Sequence, residues 1–134
     1  MTFKELRVGM KTQEKKVIDE KLVGLFASFS GDYNEIHFDD TKAKEEGFKG
    51  KIAHGMIIGS FFSKLLATDL PGNGSIYLNQ SLKFLAPVYI GDTITFKLKI
   101  KKTYPEKKII EMETNAYNKE VILVEGEAVV LFKK

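Results

Sequence analysis

The stretch FSGDYNEIHFDD, residues 29–40, sets an acid and an imidazole five residues apart: Asp32 and His37, the latter one of only two histidines in the chain. It shows neither the period of two of a strand nor the three-to-four spacing of a helix. An irregular backbone of that kind can fold back and aim both side chains at one spot. A carboxyl group titrating near ~3.9 and an imidazole near ~6.5 can hold one water, take its proton and return a proton to a second atom. That is general acid–base chemistry without a nucleophile. The same residues admit a plainer reading, in which Asp32 caps the following turn and His37 is a satisfied structural or surface histidine. A metal would need further ligands, for which Asp39, Asp40 and His54 are the nearby candidates. No face-matched histidine pattern joins them, so no metal is expected.

A second constellation is Ile52-Ala53-His54-Gly55-Met56, at the start of a strongly apolar run. The first amides of a helix lack partners within it, and the helix dipole favours negative charge there. A glycine permits close approach, so a carbonyl oxygen directed at the Gly55 N–H would be polarised as in an oxyanion hole. Alternatively Gly55 only relieves crowding. Ser60 is the first polar side chain inside the apolar stretch, and either bonds back to a helix carbonyl or lines a cavity.

Several elements must position these groups. Residues 14–29, EKKVIDEKLVGLFASF, place Val17, Ile18, Leu22, Leu25, Phe26 and Phe29 at helical spacing, which predicts an amphipathic helix ending at Ser30-Gly31. Residues 32–51 form a long loop with a possible helical turn around Thr41–Glu46, ordered by Tyr33, Phe38 and Phe48. Residues 52–69 are apolar nearly all round and predict a helix buried on most sides, stopped by Pro71-Gly72-Asn73-Gly74. Strands are expected over 75–85, 92–104, 108–117 and 121–132. In residues 93–101, Ile94, Phe96, Leu98 and Ile100 alternate with Thr95, Lys97, Lys99 and Lys101, so one sheet face is wet. One antiparallel sheet and one very apolar helix give an α+β domain over residues 1–134, with the sheet curled around the helix.

Composition narrows the function classes. The chain has no cysteine, which removes disulfides, thiolate zinc and thiol nucleophiles and fits a reducing compartment. No signal peptide or membrane span is evident, and a cytoplasmic protein is expected. Its 21 basic and 18 acidic residues are interspersed, and Arg7 is the only arginine, unlike the clustered basic face of a nucleic-acid reader.

Together, FSGDYNEIHFDDTKAKEEGFKGKIAHGMIIGSFFS closely resembles the signature region of the MaoC-like hydratases, the (R)-specific enoyl-CoA hydratase branch of the hot-dog fold. GSIYLNQSLKFLAPVYIGDTITF is similar to the strands that follow it in that family, so the resemblance extends over roughly residues 20–132. It implies a curved antiparallel sheet around a central helix. It also implies addition of water to a trans-2-enoyl thioester of CoA or acyl carrier protein, giving the (R)-3-hydroxyacyl thioester without metal or cofactor, and commonly a homodimer with sheets joined edge to edge. Carried over, the catalytic acid falls on Asp32, the catalytic histidine on His37 and the amide for the thioester carbonyl on Gly55. Asn34 and Ser60 take supporting positions, and Met56, Ile57, Phe61 and Leu65 are candidates for the acyl pocket. One departure is Glu35, where the family commonly has proline before Ile-His. The rival expectations are a hot-dog thioesterase and a non-catalytic subunit that binds acyl thioesters.

Overall fold

The alternation of Thr93–Lys101 is realised in full: Ile94, Phe96, Leu98 and Ile100 are buried, while Lys97, Lys99 and Lys101 stand in solvent. They belong to the third of five strands in a computed structural model that describes residues 1–134. In chain order the elements are β1 (Lys11–Val17), α1 (Glu20–Ser30), α2 (Asp40–Glu45), α3 (Gly55–Thr68), β2 (Ser75–Phe84), β3 (Thr93–Tyr104), β4 (Ile109–Asn118) and β5 (Val121–Phe132). The strands form one sheet in the order β1-β3-β4-β5-β2, antiparallel throughout. This is the hot-dog architecture the resemblance implies.

Helix α3 packs on the sheet face opposite the lysines. Its Ile57, Ile58, Phe62, Leu65 and Leu66 join Ile94, Phe96, Leu98, Ile110, Met112 and Val130 in one continuous core. Phe96 meets Phe61 and Phe62 with ring centroids 5.2 and 5.6 Å apart. Burial of these side chains contributes about 1.5–3 kcal/mol each and drives the assembly.

The helix expected over 14–29 is two elements. Residues 14–17 belong to β1, which pairs with β3 from Lys11↔Lys99 to Val17↔Thr93. Helix α1 starts only at Glu20, where the Asp19 carboxylate accepts from the Leu22 amide at 3.0 Å, and it ends at Gly31 with φ 80°. The apolar spacing misleads because it includes Leu25 and Phe29, which are 57% and 80% exposed; α1 buries Val23 and Ala27 instead. The buried helix expected from residue 52 begins at Gly55, because Ile52 bridges to Tyr89 and the Ala53 amide donates to the Val88 carbonyl at 2.8 Å. The expected turn near residues 41–46 is α2.

Candidate active site

Side chains bonded to nearby main chain fold the segment after α1. The Ser30 hydroxyl donates back to the Phe26 carbonyl at 2.6 Å and accepts from the Asp32 amide at 3.2 Å. The Asp32 carboxylate then accepts from the Asn34 amide at 3.2 Å, and the Asn34 side chain from the Ile36 amide at 3.3 Å. Asp39 continues the relay, capping α2 through the Thr41 and Lys42 amides. Short polar side chains that bond two residues ahead thus replace a ladder. Glu35 opens a short 3-10 turn, Glu35–His37, whose N-cap is Asn34.

The turn that carries His37 is anchored twice to Ile52. The Ile52 amide donates to the Ile36 carbonyl at 3.2 Å, and His37 Nδ1 lies 2.7 Å from the Ile52 carbonyl oxygen. A carbonyl only accepts, so Nδ1 carries the hydrogen and Nε2 is left with the lone pair. Burial holds the His37 pKa below its ordinary value; the Ile52 hydrogen bond and the Asp32 charge pull upward, and His54 pushes downward. An imidazole in that state is a free base at neutral pH.

Asp32, His37, Gly55 and Met56 line one cavity of about 660 Å³. Its remaining wall is largely apolar and includes Phe26, Phe48 and the run Phe84–Val88 leading out of β2. Gly55 is the first residue of α3, and no side chain caps that helix start. A Cβ at position 55 would come within 2.8 Å of the Phe84 ring, so the glycine leaves room for the ring to lie against the helix N-terminus.

The other expected residues lie elsewhere. Asn34 shapes the loop through the Ile36 amide. The Ser60 hydroxyl donates back to the Ile57 carbonyl at 2.6 Å, and Ser60, Ile57 and Phe61 border a separate cavity of about 140 Å³ with Leu25 and Phe29. Leu65 is fully buried in the core. Sequence reasoning missed the Phe84–Val88 wall, read only as strand end and separator, and the place of His54. The signal for His54 lay in its position just before the glycine, next to the site it was expected to serve only as a possible ligand.

Asp32, His37 and His54 are the one group of three possible metal ligands, with donor atoms within 4.8 Å of one another. The two imidazoles stack at 3.8 Å with planes inclined 27°. Lone pairs in planes so nearly parallel do not converge on one ion at a bond length of ~2 Å. His37 Nδ1 and His54 Nε2 are also engaged by carbonyl oxygens. The set fits an acid–base pair better than a metal centre.

An antiparallel sheet around one helix, with Asp32, His37 and the start of that helix lining one cavity, defines the hot-dog class of fold and its candidate site. Within it, the chain belongs to the MaoC-like family: the family's MaoC-like domain matches residues 4–122. It is 42% identical over 129 residues to an (R)-specific enoyl-CoA hydratase of Rhodospirillum rubrum, covering 96% of this chain and 90% of the relative. Identity to an (R)-specific enoyl-CoA hydratase of Aeromonas caviae is 39% over 131 residues, with 97% and 98% covered. The solved (R)-hydratase from A. caviae involved in PHA biosynthesis superposes with a TM-score of 0.92 over 96% of this chain and 98% of that one, at 39% identity.

Proposed function

We propose that the chain adds water to trans-2-enoyl thioesters to give (R)-3-hydroxyacyl thioesters, and catalyses the reverse dehydration, as a hydro-lyase. The observation that carries this reading is His37 held with Nδ1–H on the Ile52 carbonyl, its pKa lowered by burial, in the same cavity as the Asp32 carboxylate and the uncapped start of α3. A water between Asp32 and His37 gives one proton to His37 Nε2 as its oxygen bonds to C3, while the hydrogen that stays on that oxygen donates a hydrogen bond to the Asp32 carboxylate. Negative charge moves onto the thioester oxygen, which faces the Gly55 amide and the positive end of α3. The enolate then takes the proton back from His37 at C2, which restores the thioester and the free base. Every group in this sequence belongs to the chain, and no metal or cofactor is assigned to it.

The thioester carrier is CoA or acyl carrier protein, and Met56 and Phe84 border the acyl group in the cavity. No helix is long and apolar enough to cross a membrane. Together with the lack of cysteine, that suits work in the cytoplasm. Edge strand β2 exposes Ile76, Tyr77, Leu78 and Phe84, an apolar edge that a second copy would cover; a homodimer follows, through β2. Light scattering at micromolar protein should give about twice the 15.1 kDa chain mass, and a monomer mass would remove the dimer from the account.

Loss of enoyl absorbance when the purified protein meets crotonyl-CoA in EDTA tests the reaction, with the configuration of the product read by stereospecific dehydrogenases. Rapid loss and an (R) product are expected. No loss with short or long acyl chains on either carrier, or release of free CoA from a saturated acyl-CoA, would overturn the hydratase reading.

A further inference from the structure

His54 lies outside the reaction just described, yet its side chain touches both members of the acid–base pair. It stands at the N-cap of α3 and makes no capping hydrogen bond, a position where serine, threonine, asparagine or aspartate would hold the first amides. Its ring turns the other way. Nε2 donates to the main-chain carbonyl of Asp32 at 2.9 Å, and the ring face lies on the His37 imidazole at 3.8 Å. Phe26 and Phe38 enclose it, with centroids 4.7 and 6.3 Å away, and the residue is only 2% exposed.

Nδ1 of the same ring is buried and has no hydrogen-bond partner. A forgone cap and an unpartnered buried nitrogen both oppose stability. A side chain chosen for packing alone would avoid the unpartnered nitrogen, since phenylalanine fills an aromatic box without a polar atom. What only the histidine at this position supplies is the joint contact: a donor to the backbone that carries the acid and a plate beneath the base.

We propose that His54 is a positioning residue for the Asp32–His37 pair, tying the backbone of the acid to the ring of the base. The inference rests on the hydratase reading for its kinetic consequence, but not for its structural one. Asp32 and His54 are the titratable groups that bear on His37, with opposite effects: the Asp32 charge favours the imidazolium and His54 disfavours it. Without His54, the Ile52 hydrogen bond and the Asp32 charge both pull upward and burial alone opposes them.

The test uses the whole chain with His54→Phe, which keeps the plate and removes the donor, and His54→Gln, whose amide nitrogen can reach the Asp32 carbonyl but cannot stack as an imidazole does. Because the chain has two histidines, either variant leaves His37 as the sole imidazole, and its titration by NMR is read without overlap or any need for turnover. The His37 titration should move to higher pH in both variants than in the wild type. The acidic limb of kcat/KM should move the same way, and kcat for crotonyl-CoA should fall about 10- to 100-fold in His54→Phe while KM changes little, as expected when reacting groups are misplaced by up to about 1 Å. His54→Gln should recover part of that kcat. A folded His54→Phe with an unmoved His37 titration and wild-type kcat would overturn the proposal; should that variant fail to fold, the same titration in His54→Gln decides. An inactive wild type whose His37 titration still responds to His54 would instead count against the hydratase reading alone.

Discussion

The segment from Phe29 to His54 and the sheet of β3, β4 and β5 achieve order by different means. In the sheet, antiparallel ladders broken only by single register shifts, near Lys101 and at Ala116–Tyr117, and a buried face hold the residues through many equivalent interactions. In the segment, a few side chains do it singly: Ser30, Asp32, Asn34 and Asp39 each hold an amide ahead of them, and Ile52 clamps His37. The sheet can therefore lose one residue and pay in stability while the site keeps its shape. The segment can lose one residue at small cost in stability and large cost in geometry.

The largest expected effects lie in the segment. Asp32→Asn keeps the oxygen that accepts from the Asn34 amide, and His37→Asn keeps a nitrogen where Nδ1 meets the Ile52 carbonyl, so both should fold like the wild type. Each should lower kcat for crotonyl-CoA by about 10²–10⁴-fold, the usual worth of a positioned acid or base. A melting temperature that falls in step with activity would break the contrast between the two regions.

Next comes the reverse case. Phe96→Ala removes a ring that is 1% exposed and packed on Phe61 and Phe62. It should cost about 3–5 kcal/mol in urea unfolding while the folded fraction keeps most of its kcat. A smaller effect belongs to Asn34→Ala, which frees the Ile36 amide. It should cost about 1 kcal/mol of stability and still lower kcat, because the turn it caps carries His37. The smallest is Glu14→Gln on edge strand β1: the exposed pair with Lys64, at 2.9 Å, should leave both the urea midpoint and turnover almost unchanged.

Acid sharpens the comparison further. His37 is more acidic folded than unfolded, so below its ordinary pKa of 6.5 the unfolded chain binds the extra proton first. The stability that His37 contributes is complete above that value and is lost as pH falls through the folded pKa. Activity should persist through mildly acidic pH and decline only when Nε2 itself protonates, seen as an acidic limb of kcat/KM below 6.5. A limb above that value would contradict the buried free base.

What the sequence revealed follows the same division. Strand β3 is legible because one residue in two is apolar over its whole first part, and α3 because nothing but the core could accept its apolar surface. β1 was hidden: an edge strand with both faces largely wet carries no alternation, and Val17, which completed a helical pattern, is half-exposed. Residue type and motif single out Asp32, His37 and Gly55, and the fold brings the three to one cavity. The stacking of His54 on His37 and the return of Phe84 against Gly55 join residues 17 and 29 positions apart. Such contacts are made by the fold of the loop and the closure of the sheet, and no local period records them.

The most direct measurement is the turnover of crotonyl-CoA by the wild type, Asp32→Asn, His37→Asn and the double variant under one set of conditions. Groups acting on one water as a unit should show non-additive losses, so the double variant should be little worse than the more damaged single one. Wild-type turnover in either single variant, or losses that multiply in the double, would contradict a shared acid–base pair.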